Sequence, residues 1–391
     1  MLKLKMGAQS RYRVTYLNVP YDCDISFNHI DFYPVDVHCH DSGISIISGW
    51  NTPPLMDMST PSSSLQQSFM PLPLALQETV GNVHFPPDNG VALLSKIKNK
   101  SIGIFGASDA SLKDDRASHA WIFTSGDIDD ISDPMLHVAG SGPVHGYPPY
   151  LSSSRGELQG ITALAIVTKL FMDFHSFNTP VSVICDNQGV VSKCSTLQHH
   201  SLRKQRDVNS DLNLSFRDPS VSKPLALSWV RSHSDKQPWE TVQDLKSQRL
   251  SRDETYNVWC DRMAQLEWSN GAVSNFEPEV LPSEKWALFS SFPTSHKITG
   301  SLDTGFAYAM GYKDLLSYIE EKHSLSSEKI DKVNLFALST YLLSLSPFQR
   351  ASMVKTIHDW IPTHSNLCRQ GRHNSPICPR CLSEVETPSH V

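Results

Sequence analysis

The sequence predicts an α/β fold: a mixed five-stranded sheet with helices on both faces, followed by a helical and loop-rich C-terminal extension. Two observations carry this. Three strand-like runs, close enough to pair as hairpins, precede the first strong helix signal, and after them strands alternate with helices. Residues 102–109 (IGIFGASD) read as a buried strand ending on an acid, 117–124 (ASHAWIFT) as a second strand and 135–144 as a third. The turn at 126–134 carries four Asp and reads as solvated. Residues 152–171 give the strongest helix signal. Leu158, Ile161, Leu164, Ala165 and Thr168 form a 3.6-residue stripe, and Ser152, Ser153 and Ser154 offer an N-cap. Residues 181–185 are a β-branched run leading to Asp186, and 190–197 are helical. A further strand spans 225–230 (LALSWV), and a helix spans 251–268, with Ser251 as cap and Glu254 closing a capping box.

The length of 391 residues predicts two to three domains. Residues 1–95 read as an irregular N-terminal region, 96–270 as the α/β domain, 271–356 as a helical connector and 357–391 as a cysteine-bearing tail. Between 14 and 95 there is no Lys or Arg but eight Asp/Glu, with Pro53-Pro54, Pro86-Pro87 and a Ser/Thr/Pro tract, leaving room for short strands around 25–37 and 44–48. His38 and His40 share one strand face there, but two ligands do not make a metal site. In the connector, 303–323 and 328–345 have helical periodicity, and Pro347 stops the second. The net charge of −6 excludes a globally basic nucleic-acid glove. No apolar run approaches a membrane span, the N-terminus lacks a secretory apolar stretch, and eight scattered cysteines suit a reducing compartment. An intracellular, non-membrane protein of nucleus or cytoplasm is expected.

Acids at strand ends matter because parallel strands align their carboxyl ends on one rim, where ligands collect. Asp109 ends the first strand and Asp186 follows the fourth. Glu157 lies near the start of the long helix and Asp261 inside the last one, at spacings of 48, 29 and 75 residues. Singly, each has a plain structural use as a turn, a cap or a solvated helix position. Jointly, they fall on the element types and in the order a two-metal site requires. Four converging carboxylates repel one another, and hard divalent cations offset that repulsion. Two Mg²⁺ ions held together suit in-line phosphodiester hydrolysis.

Five pieces carry a resemblance: Ala107-Ser108-Asp109-Ala110-Ser111, Ser154-Arg155-Gly156-Glu157-Leu158-Gln159, Val183-Ile184-Cys185-Asp186-Asn187-Gln188, Trp229-Val230-Arg231-Ser232-His233-Ser234, and Asn257 with Asp261-Arg262-Met263-Ala264. In this order, 102–268 resembles the type 1 ribonuclease H domain found near the C-terminus of retrotransposon reverse-transcriptase polyproteins. The resemblance implies a ribonuclease H-like fold and hydrolysis of the RNA strand of RNA–DNA hybrids, leaving 3′-hydroxyl and 5′-phosphate ends. It implies Asp109, Glu157, Asp186 and Asp261 as ligands of two Mg²⁺ ions, with Asp109 bridging. His233 matches the mobile-loop histidine that assists proton transfer or product departure. The chain departs from the family in a longer stretch between 234 and 250, and in Trp259 and Cys260, which replace small residues; an inward Trp259 would crowd the packing face.

A hybrid is gripped by backbone shape and 2′-hydroxyls. Ser154, Arg155, Asn187 and Gln188 are the expected polar contacts. Lys193, Arg203, Lys204 and Arg206, with His199 and His200, form an acid-free stretch that is either a hybrid-gripping protrusion or a solvated basic loop. Acidity elsewhere predicts weak, salt-sensitive binding. The tail holds Cys378-x₂-Cys381-x₈-His390 and is similar to the zinc-binding tail of retrotransposon reverse transcriptases, in which a fourth Cys follows the His. Only Val391 follows here, so the expectation is an incomplete Zn²⁺ site, with Cys368 or His373 as substitutes, or unliganded cysteines. No polymerase Tyr-x-Asp-Asp motif occurs; Asp127-Ile128-Asp129-Asp130 fits a hairpin turn. Two readings compete with an active ribonuclease: a catalytically degenerate retroelement remnant that only binds nucleic acid, and a DNA-cutting nuclease of the same fold.

Overall fold

The structure, a computed structural model, describes the strands at 2–6, 12–16, 37–39 and 44–48. It then describes residues 63–100, 103–113, 116–147, 150–195, 208–232, 234–235, 238–269, 280–284, 286–290 and 296–300. Towards the C-terminus it describes 315–323, 326, 329, 338, 341–342, 344–358, 362–387 and 390. These divide into two compact units, Met1–Asp314 and Leu315–Val391.

In chain order the strands are β1 (Leu2–Met6), β2 (Tyr12–Tyr16), β3 (Val37–Cys39), β4 (Ile44–Ser48), β5 (Asn82–His84), β6 (Ile104–Lys113), β7 (Arg116–Thr124), β8 (His137–Pro143), β9 (Val181–Cys185), β10 (Ala226–Trp229), β11 (Trp286–Ser290) and β12 (His296–Lys297). The helices of the first unit are α1 (Leu65–Phe69), α2 (Leu74–Val80), α3 (Val91–Lys100), α4 (Ser153–Phe174), α5 (Gln188–Ser195), α6 (Ser210–Arg217), α7 (Val242–Ser247) and α8 (Arg252–Ser269).

The central sheet is mixed and six-stranded, in the order β10-β9-β6-β7-β8-β5. β10, β9 and β6 run parallel, while β6, β7, β8 and β5 pair antiparallel. Helices cover both faces: α4 lies across β6 and β7 on one side, and α8 crosses the same strands on the other. The two faces follow from strand alternation. Trp121 and Phe123 of β7 join the α4-side core with Leu158 and Ile161, while Ile122 joins the α8-side core with Tyr256 and Cys260.

The sixth strand corrects the expectation of five. β5 pairs with β8 at the sheet edge and comes from the region read as irregular. That region also folds into α1, α2 and α3, whose Leu65, Leu76, Val80, Leu93 and Ile97 are buried in the α4-side core. Trp121 Nε1 pins the end of α2 by donating to the Val80 carbonyl at 3.1 Å, and its indole fits because Gly140 leaves space; a Cβ there would stand 2.5 Å from the ring. Elements of five to ten residues between Pro-rich turns are too short to display a period, which is why they escaped notice. Their cover also explains why α4 is buried nearly all round, beyond its apolar stripe.

Three smaller differences follow. β6 continues to Lys113 instead of ending at Asp109, because its ladder with β7 persists after β9 departs. The Asp-rich turn forms a 3-10 helix, Ile128–Ser132, and is not wholly solvated: Asp130 is buried, pairs with Lys96 and accepts from Ser125 N at 3.1 Å and Ser125 Oγ at 2.7 Å. Val37–Cys39 and Ile44–Ser48 are strands, joined with β11 and β12 in a second sheet ordered β12-β11-β4-β3; the expected strand at 25–36 lies outside the described residues. The capping predictions match: Ser152 Oγ accepts from Arg155 N, and Ser251 and Glu254 bond reciprocally. Of the expected helix 328–345 only scattered residues are described, and Pro347 opens a new helix, Pro347–Ile357, under a Ser346–Gln349 capping box. Among the described residues no helix is long and apolar enough to cross a membrane.

Candidate active site

The parallel pairing of β6 with β9 aligns Ala107 with Ile184. Two residues further along each strand stand Asp109 and Asp186, so strand register alone brings these acids to one rim. α4 delivers Glu157 to the same place. It can approach β6 closely because Gly156 and Gly160 face it: a Cβ at Gly156 would stand 2.6 Å from that of Ala110, and one at Gly160 2.2 Å from Ser108 Oγ. Glu157 Oε1 then accepts from Ala110 N at 3.0 Å, beside Asp109 Oδ1, which accepts from the same N–H at 2.6 Å. Asp261 comes from α8 on the opposite face, and its charge is felt by Asp109. Asp109, Glu157 and Asp186 thus meet at one rim, while Asp261, whose Oδ1 accepts from Gln265 Nε2 at 3.0 Å, stands near enough for Asp109 to feel its charge.

Their depth differs. Asp109 is 4% exposed and Glu157 3%, whereas Asp186 and Asp261 are half-buried. Burial first, then the Asp186 charge, pushes Asp109 well above the usual carboxylate range. Burial, then Asp109 and Asp186, does the same to Glu157. A hydrogen bond links the two carboxyls, and a cation bound between them would favour their ionised forms. The donor set fits a hard divalent cation: carboxylate oxygens from four elements, mutually repelling, with the buried Asn257 Oδ1 beside them lacking a partner among the described residues.

Three further residues shape the site that the sequence reading did not assign to it. Asn257 Nδ2 donates to Asp109 Oδ2 at 3.0 Å; its signal was its position one helical turn before Asp261. Cys185 Sγ donates to Glu157 Oε2 at 3.4 Å, and its buried thiol is pushed far up and stays neutral. Trp229 Nε1 donates to the Asp186 carbonyl at 2.8 Å while the side chain remains 54% exposed, a fixed aromatic plate at the rim. β-strand patterning gives no hint of that bond.

The expected substrate contacts divide. Ser154 and Asn187 stand together at the rim, Asn187 Nδ2 donating to Ser154 Oγ at 3.2 Å, and Gln188 is exposed beside them. Arg155 is corrected: it is 1% exposed and bonded to Asp211 Oδ1 and Oδ2 at 3.0 and 2.8 Å, so it cannot face a nucleic acid. Arg203, Lys204, Arg206 and His233 lie outside the described residues, as do His199 and His200. Lys193 Nζ donates to the Val208 carbonyl at 2.7 Å. Trp259 is accommodated, buried with Ala139 in the α8-side core and against His137. The long stretch after 233 folds in part into α7 under a Thr241–Asp244 capping box.

In the second unit, ligand atoms of Cys378, Cys381 and His390 lie within 4.8 Å of one another. Cys381 Sγ is 3.3 Å from His390 Nε2, and Glu384 holds the opposite ring nitrogen at 3.1 Å. Hydrogen bonds from the Ser383 side chain and from the Ser383 and Glu384 backbone lower the Cys381 thiol to about 6. Neither Cys368 nor His373 joins this group; His373 stacks on His364.

An acid-lined rim on a mixed α/β sheet is the class of site this fold presents. No family model and no curated protein matches the chain.

Proposed function

We propose that the chain is a ribonuclease H-like endonuclease of retroelement origin that hydrolyses the RNA strand of RNA–DNA hybrids with two Mg²⁺ ions. The observation supporting this reading is the meeting of Asp109, Glu157 and Asp186 on one rim, from two parallel strands and a helix, with Asp261 on the helix of the opposite face close enough to act on Asp109. Asp109, Glu157, Asp186 and Asp261 would hold the ions. When bound, these lower the pKa of the attacking water and neutralise charge on the phosphate. The protein's own groups do the rest. Asn257 fixes one oxygen of Asp109, Ala110 N–H orients Asp109 and Glu157 together, and Cys185 holds the second oxygen of Glu157. Trp229 anchors the turn that carries Asp186 and offers its exposed face to a sugar or base. Ser154, Asn187 and Gln188 line the route for the RNA backbone, and His233 serves proton transfer or product departure.

The test is cleavage of an end-labelled RNA–DNA hybrid with Mg²⁺, beside single-stranded RNA and duplex DNA. Internal cuts in the hybrid's RNA strand, weakened steeply as salt rises, are expected. Inert hybrid that is nonetheless bound would replace this reading with the binding-only remnant. Cleavage of DNA alone would replace it with the DNA nuclease.

The tail reads as a Zn²⁺ site of three protein ligands, with the thiolate character of Cys381 and the Glu384–His390 contact arranged as a metal would need. Competition with a chromophoric chelator is expected to show one Zn²⁺ per chain, with affinity at least about tenfold weaker for Cys381→Ser. Equal affinity for the two proteins would remove the tail as a metal site.

A further inference from the structure

Arg155 stands two residues before Glu157, in the first turn of α4, where the helix dipole opposes a cation. It is nonetheless buried, and burying a guanidinium costs several kcal/mol unless it is fully paired. Four of its five N–H groups find acceptors: both terminal nitrogens meet Asp211, Nη1 also meets Asn209 Oδ1 at 3.2 Å, and Nε donates to the His145 carbonyl. Asp211 is shared. Lys297 Nζ stands 3.6 Å from it and also pairs with Glu284, which accepts from Leu281 N at 2.7 Å. Asn209, in the left-handed region at φ 61°, donates its N–H to the Thr299 carbonyl at 3.0 Å. Two cations and two anions, all buried, therefore tie the start of α4 to α6 and to Glu284 and Lys297, which lie beyond the expected nuclease domain.

We propose that Arg155 is a positioning residue for Glu157, and that Lys297 and Glu284 complete the clamp through which it acts. The inference rests on reading the acids as a metal site. Residues two apart on a helix point to opposite sides, so the network grips α4 from behind while Glu157 reaches the rim. A helix rotation of roughly 20° would carry a carboxylate some 6 Å from the axis by about 2 Å, enough to break its contact with Ala110 N. A buried charge network contributes little net stability against apolar replacements. Orientation is the property it supplies.

The test uses the full chain and reads Mn²⁺ binding by electron paramagnetic resonance, with Asp109→Asn defining the signal that belongs to the acids. Arg155→Lys keeps the charge but cannot reach the same acceptors. The double variant Lys297→Met/Glu284→Gln removes a cation and an anion together, leaving neither unpaired. Urea unfolding midpoints show that each variant is folded. The expected result is a rise in Mn²⁺ dissociation constant of about tenfold for Arg155→Lys and at least about threefold for the double variant, with midpoints near wild type for the folded proteins. A folded Arg155→Lys protein with wild-type affinity would overturn the positioning role while leaving the nuclease reading intact. If Arg155→Lys does not fold, the double variant decides, and unchanged affinity overturns the role. If the wild-type chain binds no Mn²⁺ that Asp109→Asn removes, the metal reading and this inference fall together.

Discussion

Asp109→Asn is expected to reduce Mg²⁺-dependent hybrid cleavage by about a thousandfold or more and yet, without metal at pH 7.5, to melt at a higher temperature than wild type. The two effects have one cause. Asp109 and Glu157 are buried side by side and both are raised. Stability from such groups is complete below the ordinary carboxylate range, where both states are protonated. It is lost as pH rises through that range towards the raised folded values. At pH 7.5 the metal-free protein carries this penalty, and the neutral amide removes it. The substitution also suits the local hydrogen bonds. Asn257 can turn its amide so that its Oδ1, unpartnered among the described residues, accepts from the side-chain amide introduced at position 109, while Ala110 N keeps an acceptor. For a unit of this size each kcal/mol relieved raises the midpoint by about 2–4 °C. With excess Mg²⁺ the order should reverse, because only wild type gains the binding free energy. Differential scanning calorimetry with and without Mg²⁺ checks both signs. An Asp109→Asn protein less stable than wild type under both conditions would mean that the acids are not repelling one another.

The second large effect is the loss of the buried histidines' contribution to stability in mild acid. His119 is fully buried on β7, and neither ring nitrogen has a hydrogen-bond partner among the described residues. Burial, with the nearby His145, lowers it to about 3, and burial lowers His145 to about 4. Both are neutral in the fold, whereas the unfolded chain protonates them near 6.5. Their contribution is therefore present above pH 6.5 and is lost as pH falls towards the folded values. The slope is about 1.4 kcal/mol per pH unit for each histidine. The raised carboxylates act in the opposite sense over the same pH window, so a substitution is needed to isolate the histidine. His119→Leu should leave stability at pH 7.5 unchanged or higher, and should remove one proton's worth of slope between pH 6.5 and 4.5. Urea unfolding at four pH values measures this. An unchanged slope would show that His119 is protonated in the folded protein.

The acids were legible because their signal has two independent parts: residue type and placement on an element. Strand register then does the rest, since two strands aligned at Ala107 and Ile184 cannot avoid presenting Asp109 and Asp186 together. What stayed hidden has equally physical reasons. Arg155 sits in a run of small polar residues that reads as a surface turn, and only the distant Asp211, Lys297 and Glu284 reveal that it is inside. Asp130 looked solvated among three neighbouring acids until Lys96, from a helix the sequence did not display, arrived to pair with it. β5 has three residues and α1 has five, and elements that short carry no periodicity to read. Long-range charge pairing and short edge elements are settled by tertiary packing, whereas Asp109 and Asp186 are placed by the register of β6 on β9.

The most direct measurement of the central claim is anomalous diffraction from crystals soaked in Mn²⁺, recorded near the manganese edge. Two peaks about 3.5–4 Å apart, bounded by the carboxylates of Asp109, Glu157, Asp186 and Asp261, are expected. Manganese absent from that rim in an otherwise ordered crystal would contradict it.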